Sequence, residues 1–474
     1  MIRHLIVFTL LITTCFSQHS KAQYLMPSGS QQLLENWLEA QLEFDRLPSI
    51  SVGIIKDQQL LWGKSFGKLD VAKNVPATPS TIYSICSITK LFTAVAILKL
   101  REDGKIRLDD PITQHLPWFK VKPYPNSLPI TIRHLLTHSS GLPAEFDFPY
   151  WTDNVFPTKE QIMQKINDQT PLYPPGHYFQ YSNFGITLLG YIIESVTGLT
   201  YDKYVTDNIL SPLQLQDTRT YFPEELWRTK LAVGYSELSR KGERRMLNKF
   251  QTNGLASATG ISSTVEDLAR FIAWQFRTYT ADEKEILEPE TLREMQQVQY
   301  MDPNWRTTWG YGFKVVNIDN KTYSLHGGYC PGYQSVIAMN QKDKIGFVVL
   351  INAVGTDPYK YFEGMRAIMA KAYDDNIQHA PENPAMNEFC GLYRDAPWGS
   401  EVSLTRWGNH LAMINLPCDN PVKNMILFRP TENPDRFVRI REDGLDGEEI
   451  WFERDVNNKI TKLWRHSNYR IKYK

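Results

Sequence analysis

Cysteine is scarce in this chain, five residues among 474, which is too few for a disulfide scaffold, so the fold has to rest on an apolar core. Net charge is missing altogether. Lys and Arg number 52 and so do Asp and Glu, which removes the electrostatic footprint of a nucleic-acid binder. Beyond the N-terminal stretch no apolar run has membrane-spanning length, so no transmembrane segment is expected after it. There is also no internal repeat and no low-complexity tract, which excludes solenoids and arrays. What remains is ordinary globular composition, 42% hydrophobic and 22% charged. A chain this long exceeds what one core usually fills, so two folded units are expected, one larger than the other.

The first residues have the order of a secretory signal: Arg3 and His4, an apolar run over residues 5–16, then a polar stretch closing on Ser20-Lys21-Ala22. Residues 1–22 are therefore expected to be removed, and the protein exported to a periplasm or secreted. Cys15 raises a lipid anchor as an alternative, disfavoured because Thr14 before it is larger than the small residue that lipidation normally wants. Four cysteines then remain, Cys86, Cys330, Cys390 and Cys418, and they are read as buried thiols. One pairing stays open, since Cys86 and Cys330 flank the candidate nucleophile and the candidate oxyanion strand.

Residues 33–44 have helical spacing, and 50–56 and 60–66 read as strands about an Asp57-Gln58 turn. Residues 87–101 form a largely apolar helix closed by Gly104, which belongs in the middle of a core. Residues 109–280 carry helical patterns and long loops punctuated by Ser140-Gly141 and Pro174-Pro175-Gly176. Strand patterns return at 310–317, 322–329, 334–340 and 345–353, and a helix follows at 359–373. The expected units are thus a main domain over 23–373, a polar linker at 374–386 with Pro381 and Pro384, and a small antiparallel barrel or sandwich over 387–474. Seven short strands are expected in the last unit, between residues 388 and 466.

Three short strings could carry chemistry. In Ser87-Ile88-Thr89-Lys90 the lysine lies three positions along a helix, on the face of the serine. Burial lowers a lysine pKa enough to let it take the serine proton, and the amides of a helix N-terminus can hold an oxyanion. The spacing alone is weak, because Ser65-Phe66-Gly67-Lys68 matches it; that serine sits on an expected strand, where positions three apart face opposite ways. In Tyr181-Ser182-Asn183 a tyrosine can pass protons and an asparagine amide can hold a substrate carbonyl, although Ser182 or Asn183 could equally cap the following helix. Tyr124-Pro125-Asn126 repeats that pattern by chance. In His326-Gly327-Gly328 the paired glycines weaken a strand, which signals close approach of another backbone or a ligand. His326 would then face the cleft, and the amide of Tyr329 could complete an oxyanion hole with that of Ser87.

Taken together and in this order, these strings resemble the serine beta-lactamase and D,D-peptidase superfamily, in its class C-like branch. The run from Leu135 to Pro143 (LLTHSSGLP), the approach from Tyr173 to Asn183 and the run from Ser263 to Phe271 (STVEDLARF) support the resemblance. It spans roughly residues 33–373. It implies an α+β fold, an antiparallel sheet flanked by helices with a helical subdomain and the site between them. It also implies Ser87 as nucleophile, Lys90 and Tyr181 as proton-transfer groups, Asn183 as the contact for a substrate amide, and no cofactor. Residues 387–474 resemble the small lipocalin-like β-barrel appended to members of this branch.

One departure matters. Class C beta-lactamases carry a lysine where this chain has His326, and a neutral histidine binds a carboxylate poorly, so efficient antibiotic hydrolysis is not expected. The expected activity is hydrolysis of an ester, an amide or a D-amino-acid peptide through an acyl-enzyme. The alternatives are a weak beta-lactamase and a catalytically silent binding or scaffold protein that keeps the cleft. His134 and His138 have zinc-like spacing but lack the intervening glutamate and a third ligand, so no metal is expected. A small molecule or peptide is the expected partner, and the sequence leaves the oligomeric state open.

Overall fold

The computed structural model describes residues 24–379 and 383–474. The signal segment with Cys15, and residues 380–382 of the expected linker, lie outside the described residues.

The first helix, α1 (Ser30–Phe44), buries Leu33, Leu34, Trp37 and Leu38 at helical spacing. A hairpin follows, β1 (Ser49–Lys56) and β2 (Gln59–Asp70), with Asp57 at the turn in left-handed geometry. Three more long strands come near the end of the domain: β3 (Lys321–Cys330), β4 (Tyr333–Asn340) and β5 (Ile345–Ile351). Among the described residues they join one antiparallel nine-stranded sheet in the order Val75–Pro76, β2, β1, β5, β4, β3, Lys314–Ile318, Thr308–Trp309, Tyr300–Met301. β1 pairs with β5 from Ile50 opposite Ile351 to Lys56 opposite Ile345, so distant parts of the chain meet at the sheet centre. Every residue of β4 and β5 is buried, because both faces of the sheet are covered, and this is why residues 336–339 and 345–351 read as continuous apolar runs.

One face carries α2 (Thr89–Glu102) and α4 (Val265–Tyr279); α1 and α5 (Pro358–Asp374) cover the other. α2 is buried almost all round and packs against α3 (Asn183–Thr197), the main helix of the helical subdomain. The rest of that subdomain consists of short helices and long loops. The run from Ser263 to Phe271 proves structural: Thr264 caps α4 by accepting from Asp267 N–H at 3.1 Å, and the Asp267 carboxylate accepts from Asp217 N–H and the Thr218 hydroxyl, both at 2.8 Å. The strand expected at 310–317 is shorter, Lys314–Ile318. Its first residues form a turn instead, with Gly312 at φ 81° and Gly310 packed so closely that a Cβ would lie 2.4 Å from the Met295 carbonyl oxygen.

The C-terminal unit is a closed barrel of eight antiparallel strands, one more than the sequence pattern gives. The additional strand, Asn468–Lys472, pairs Tyr393 with Lys472 and so closes the ring. It is short and polar, and its apolar residues Tyr469 and Ile471 point outward, which left no core signal to read. The interior is filled: Phe389, Phe437 and Phe452 pack edge-to-face or tilted with ring centroids 4.6–5.7 Å apart, surrounded by Val402, Leu404, Leu411, Phe428, Ile450 and Leu463. The barrel docks on α1. Trp37 Nε1 and Gln41 Nε2 donate to the Cys418 carbonyl at 2.8 and 2.6 Å, and Asn36 Nδ2 donates to Ser403 Oγ at 2.8 Å. Gly29 at the start of α1 permits this approach, since a Cβ there would lie 1.6 Å from the Arg406 carbonyl oxygen. Leu392, Trp407, Ala412, Ile414 and Leu416 join the core shared by α1, α5 and the sheet.

Candidate active site

Ser87 lies in a 3-10 turn, Cys86–Ile88, that runs directly into α2. Cys86 takes φ 52°, a left-handed geometry rare outside glycine, which sets the serine at the head of the helix. The sulfur of Cys86 is bonded to that of Cys330 at the end of β3, with the two Cα atoms 5.7 Å apart. This corrects the expectation of four thiols: Cys390 and Cys418 are free, while Cys86 and Cys330 are bridged. The glycines of β3 give the physical reason. A Cβ on Gly328 would lie 2.3 Å from the Ile85 carbonyl oxygen and from Ser335 Oγ, so only glycine lets the strand press against the Ser87 turn.

Lys90 is 1% exposed, and its Nζ stands 2.9 Å from Ser87 Oγ, 2.7 Å from Asn183 Oδ1 and 2.8 Å from the Ala258 carbonyl oxygen. Burial pushes its pKa down to about 7, against a smaller opposing pull from the Glu145 carboxylate. A neutral amine has two hydrogens and one lone pair. Both carbonyl oxygens can only accept, so both hydrogens are committed to them and the lone pair is left for the Ser87 hydroxyl.

Ser182 caps α3, accepting from Gly185 N–H at 2.8 Å and donating to the Pro143 carbonyl at 2.6 Å. The cap fixes the residues on either side of it. Asn183 turns Oδ1 to Lys90 and donates Nδ2 to Glu145 Oε1 at 2.6 Å; the Tyr181 ring lies 5.0 Å from Lys90 Nζ. Burial raises the Tyr181 phenol, with the Ser87 hydroxyl countering in part, so it stays protonated across the neutral range. His138 supports Tyr181 from behind: the rings are 4.4 Å apart, and its Nδ1 accepts from Ser182 N–H at 3.1 Å. His134 caps its own short helix by accepting from Thr131 N–H at 3.1 Å, and His138 lies beyond that helix at φ 54°, so the two do not share a helix face.

His326 is 4% exposed on β3, and its Nδ1 lies 2.6 Å from the Gly327 carbonyl oxygen. A carbonyl only accepts, so Nδ1 carries the hydrogen and Nε2 presents a lone pair, with no partner among the described residues. Burial and the nearby Lys90 push its pKa down to about 3, which leaves it neutral. Gly327 makes room for Tyr359, whose hydroxyl a Cβ would meet at 2.6 Å. Ser87, Tyr181, Asn183, His326, Gly327, Gly328 and Tyr329 all line one cleft of about 870 Å³. Trp151, Trp309, Pro331, Val354 and Tyr359 supply its apolar walls. Among the described residues, none from the barrel lines it.

The competing strings lie elsewhere. Ser65 is on β2 with its hydroxyl 2.7 Å from Ser51 Oγ, and Tyr124 belongs to a surface turn closed by Ser127 N–H. Two groups in the site escaped the sequence reading. Glu145 stands two residues beyond the LLTHSSGLP string and is held by Asn183 and by the Tyr150 hydroxyl, a role no spacing announces. Ala258 acts through its backbone oxygen, for which no side-chain signal exists.

Comparison with known proteins places this geometry. Residues 34–368 match the family described as Beta-lactamase. Protein flp of Staphylococcus aureus (strain MW2) is 32% identical over 330 residues, 69% of this chain and 64% of its own length, so the chain spans less than two thirds of that relative. Among solved structures, an octameric penicillin-binding protein homologue from Pyrococcus abyssi has a TM-score of 0.64 at 29% identity, covering 93% of this chain and 99% of its own. A D-stereospecific amidohydrolase from a Streptomyces species has a TM-score of 0.59 at 25% identity, covering 70% of this chain and 98% of its own.

Proposed function

The chain belongs to the Beta-lactamase family, whose members are generally serine hydrolases acting on amides or D-peptides, and from that premise we propose that it hydrolyses an ester, an amide or a D-amino-acid peptide through an acyl-enzyme on Ser87. The observation that carries this reading is the wiring of Lys90, whose only uncommitted valence faces the Ser87 hydroxyl. Neutral Lys90 takes the serine proton as Oγ attacks the carbonyl carbon. The amides of Ser87 and Tyr329 hold the oxyanion. The Tyr181 phenol, kept protonated by burial, gives its proton to the leaving group and recovers one from Lys90. Water then enters by the reverse path and releases the acid. Asn183 has one amide hydrogen left beside that given to Glu145, and this serves the carbonyl of a substrate amide.

His326 bears on the choice of substrate. Neutral, with an accepting Nε2, it suits an N–H or O–H donor better than a carboxylate, which favours esters, amides and peptides over beta-lactam antibiotics. We also propose that the protein is exported to a periplasm or secreted, a reading supported by the disulfide beside the nucleophile, since such bonds persist in oxidising compartments.

The test is hydrolysis of a short-chain nitrophenyl ester, nitrocefin and a D-Ala-D-Ala peptide by wild type and Ser87→Ala. Turnover that disappears with the serine and is weakest on nitrocefin is the expected result. Turnover that survives in Ser87→Ala, or no covalent labelling of wild type by a fluorescent phosphonate, refutes it.

A further inference from the structure

Asn183 links Lys90 to a carboxylate, and the direction of its amide decides what Lys90 can do. The two ends of an asparagine amide are nearly equal in shape, so only its partners choose between the two orientations. Charged Lys90 would choose by itself, because an ammonium only donates and needs Oδ1. Neutral Lys90, the form that takes the serine proton, both donates and accepts. A reversed amide would turn Nδ2 toward the amine, donate into its lone pair and occupy the valence that faces the Ser87 hydroxyl. The orientation therefore has to be fixed from the other side.

Glu145 stands on that side. Its Oε1 accepts from Asn183 Nδ2 at 2.6 Å, and a carboxylate oxygen cannot donate in return, so a reversed amide would set two oxygens against each other. The backbone beneath Glu145 is held firmly. The Ala144 carbonyl accepts from the N–H groups of Asn183 and Phe184 at 2.8 and 3.2 Å, and Phe146 packs on Phe184 with ring centroids 4.3 Å apart. What remains free is the Glu145 side chain itself, half-buried at the cleft wall. Tyr150 ends that freedom. It is fully buried, with its ring 5.4 Å from Trp151 and 5.2 Å from Phe156, and its hydroxyl donates to Glu145 Oε2.

We propose that Tyr150 is a positioning residue: through Glu145 it locks the Asn183 amide with its oxygen on Lys90, and so keeps the lone pair of neutral Lys90 for Ser87. The lock rests on the reading of Ser87 and Lys90 as nucleophile and base. Tyr150 acts at second hand, since its hydroxyl is given to Glu145 and the cleft wall beside it is Trp151. Of the titratable groups around Lys90, His138 and His326 are held neutral by burial and Tyr181 is held protonated, which leaves Glu145 to bring the charge.

The pH profile of kcat/KM on a nitrophenyl ester tests the lock in Tyr150→Phe, Glu145→Gln and the double variant. Tyr150→Phe keeps both the ring and the carboxylate charge, and should lower the plateau above the acid limb about tenfold. A reversed amide also favours the neutral amine, so the acid limb should move to lower pH although no charge has changed. In the Glu145→Gln background the lock is already open, and the second substitution should add less than about twofold. Loosened packing would instead lower the plateau alike in both backgrounds. An unchanged plateau in Tyr150→Phe, a lowered plateau with the limb in place, or equal losses in both backgrounds overturns the lock. Should Tyr150→Phe fail to fold, Glu145→Gln alone decides: its plateau is expected to fall about tenfold, and an unchanged plateau overturns the proposal. Ester hydrolysis that persists in Ser87→Ala would instead remove the serine reading, and the two failures are thereby distinguished.

Discussion

The cleft and the barrel treat ionisable groups in opposite ways. On the barrel surface Lys462 is paired with Glu453 at 2.7 Å, which raises its pKa, and Arg454 is held by Glu388 and Asp435, each at 2.7 Å. In the cleft, Lys90 is buried without a carboxylate in contact and falls to about 7, His326 falls to about 3, and Tyr181 rises. Exposure with a counter-ion keeps a group charged and inert. Burial among neutral acceptors leaves it poised to exchange a proton. One residue type, lysine, thus serves solubility in one region and chemistry in the other.

The strongest attempt to break this contrast is Lys90→Met. It removes the base and should lower kcat/KM on a nitrophenyl ester by about 10³-fold or more, since general-base catalysis of this kind contributes roughly 10²–10⁴. A loss of less than about tenfold would mean that another group takes the serine proton.

Next comes the barrel core. Phe452→Ala removes a ring from the aromatic cluster and should cost about 3–5 kcal/mol of barrel stability in chemical denaturation, while kcat/KM at low temperature stays at the wild-type value. A parallel fall in activity would show that the barrel shapes the cleft through α1.

A smaller effect sharpens the electrostatic side. Activity requires neutral Lys90, the form that dominates above its pKa, so kcat/KM should rise with pH through about 7 and fall about tenfold per unit below it. The Glu145 carboxylate favours the ammonium form; Glu145→Gln should move this acid limb downward by about one unit or less. A limb that stays in place would assign it to another group.

The least effect is expected from Lys462→Met on the barrel surface, with neither the melting temperature nor kcat/KM changed beyond error. A measurable fall in either would give the exposed pair a role that its solvation argues against.

Much of this was legible in the sequence where local pattern and tertiary role coincide. α2 is largely apolar because it is central, and β5 is an uninterrupted apolar run because both faces are covered. Ser87, Lys90, Tyr181, Asn183 and His326 stood out through spacing and order; the fold brings Ser87, Tyr181, Asn183 and His326 to one cleft, with Lys90 buried against Ser87 and Asn183. What stayed hidden depends on contacts between segments far apart in sequence. The Cys86–Cys330 bridge needed the approach that Gly328 allows; Glu145 and the Ala258 carbonyl act only through Asn183 and Lys90; and the eighth barrel strand buries nothing that would mark it.

The disulfide also has a mechanical meaning. It closes a covalent ring between positions 244 residues apart, and the whole helical subdomain, including Tyr181 and Asn183, hangs inside that ring. Of the three segments that carry the candidate motifs, the Ser87 turn and β3 are one stapled piece, while the Tyr181–Asn183 segment is held by hydrogen bonds and packing. Any opening of the cleft is therefore expected to come from the Tyr181–Asn183 wall, because the bridge holds the Ser87 turn against β3.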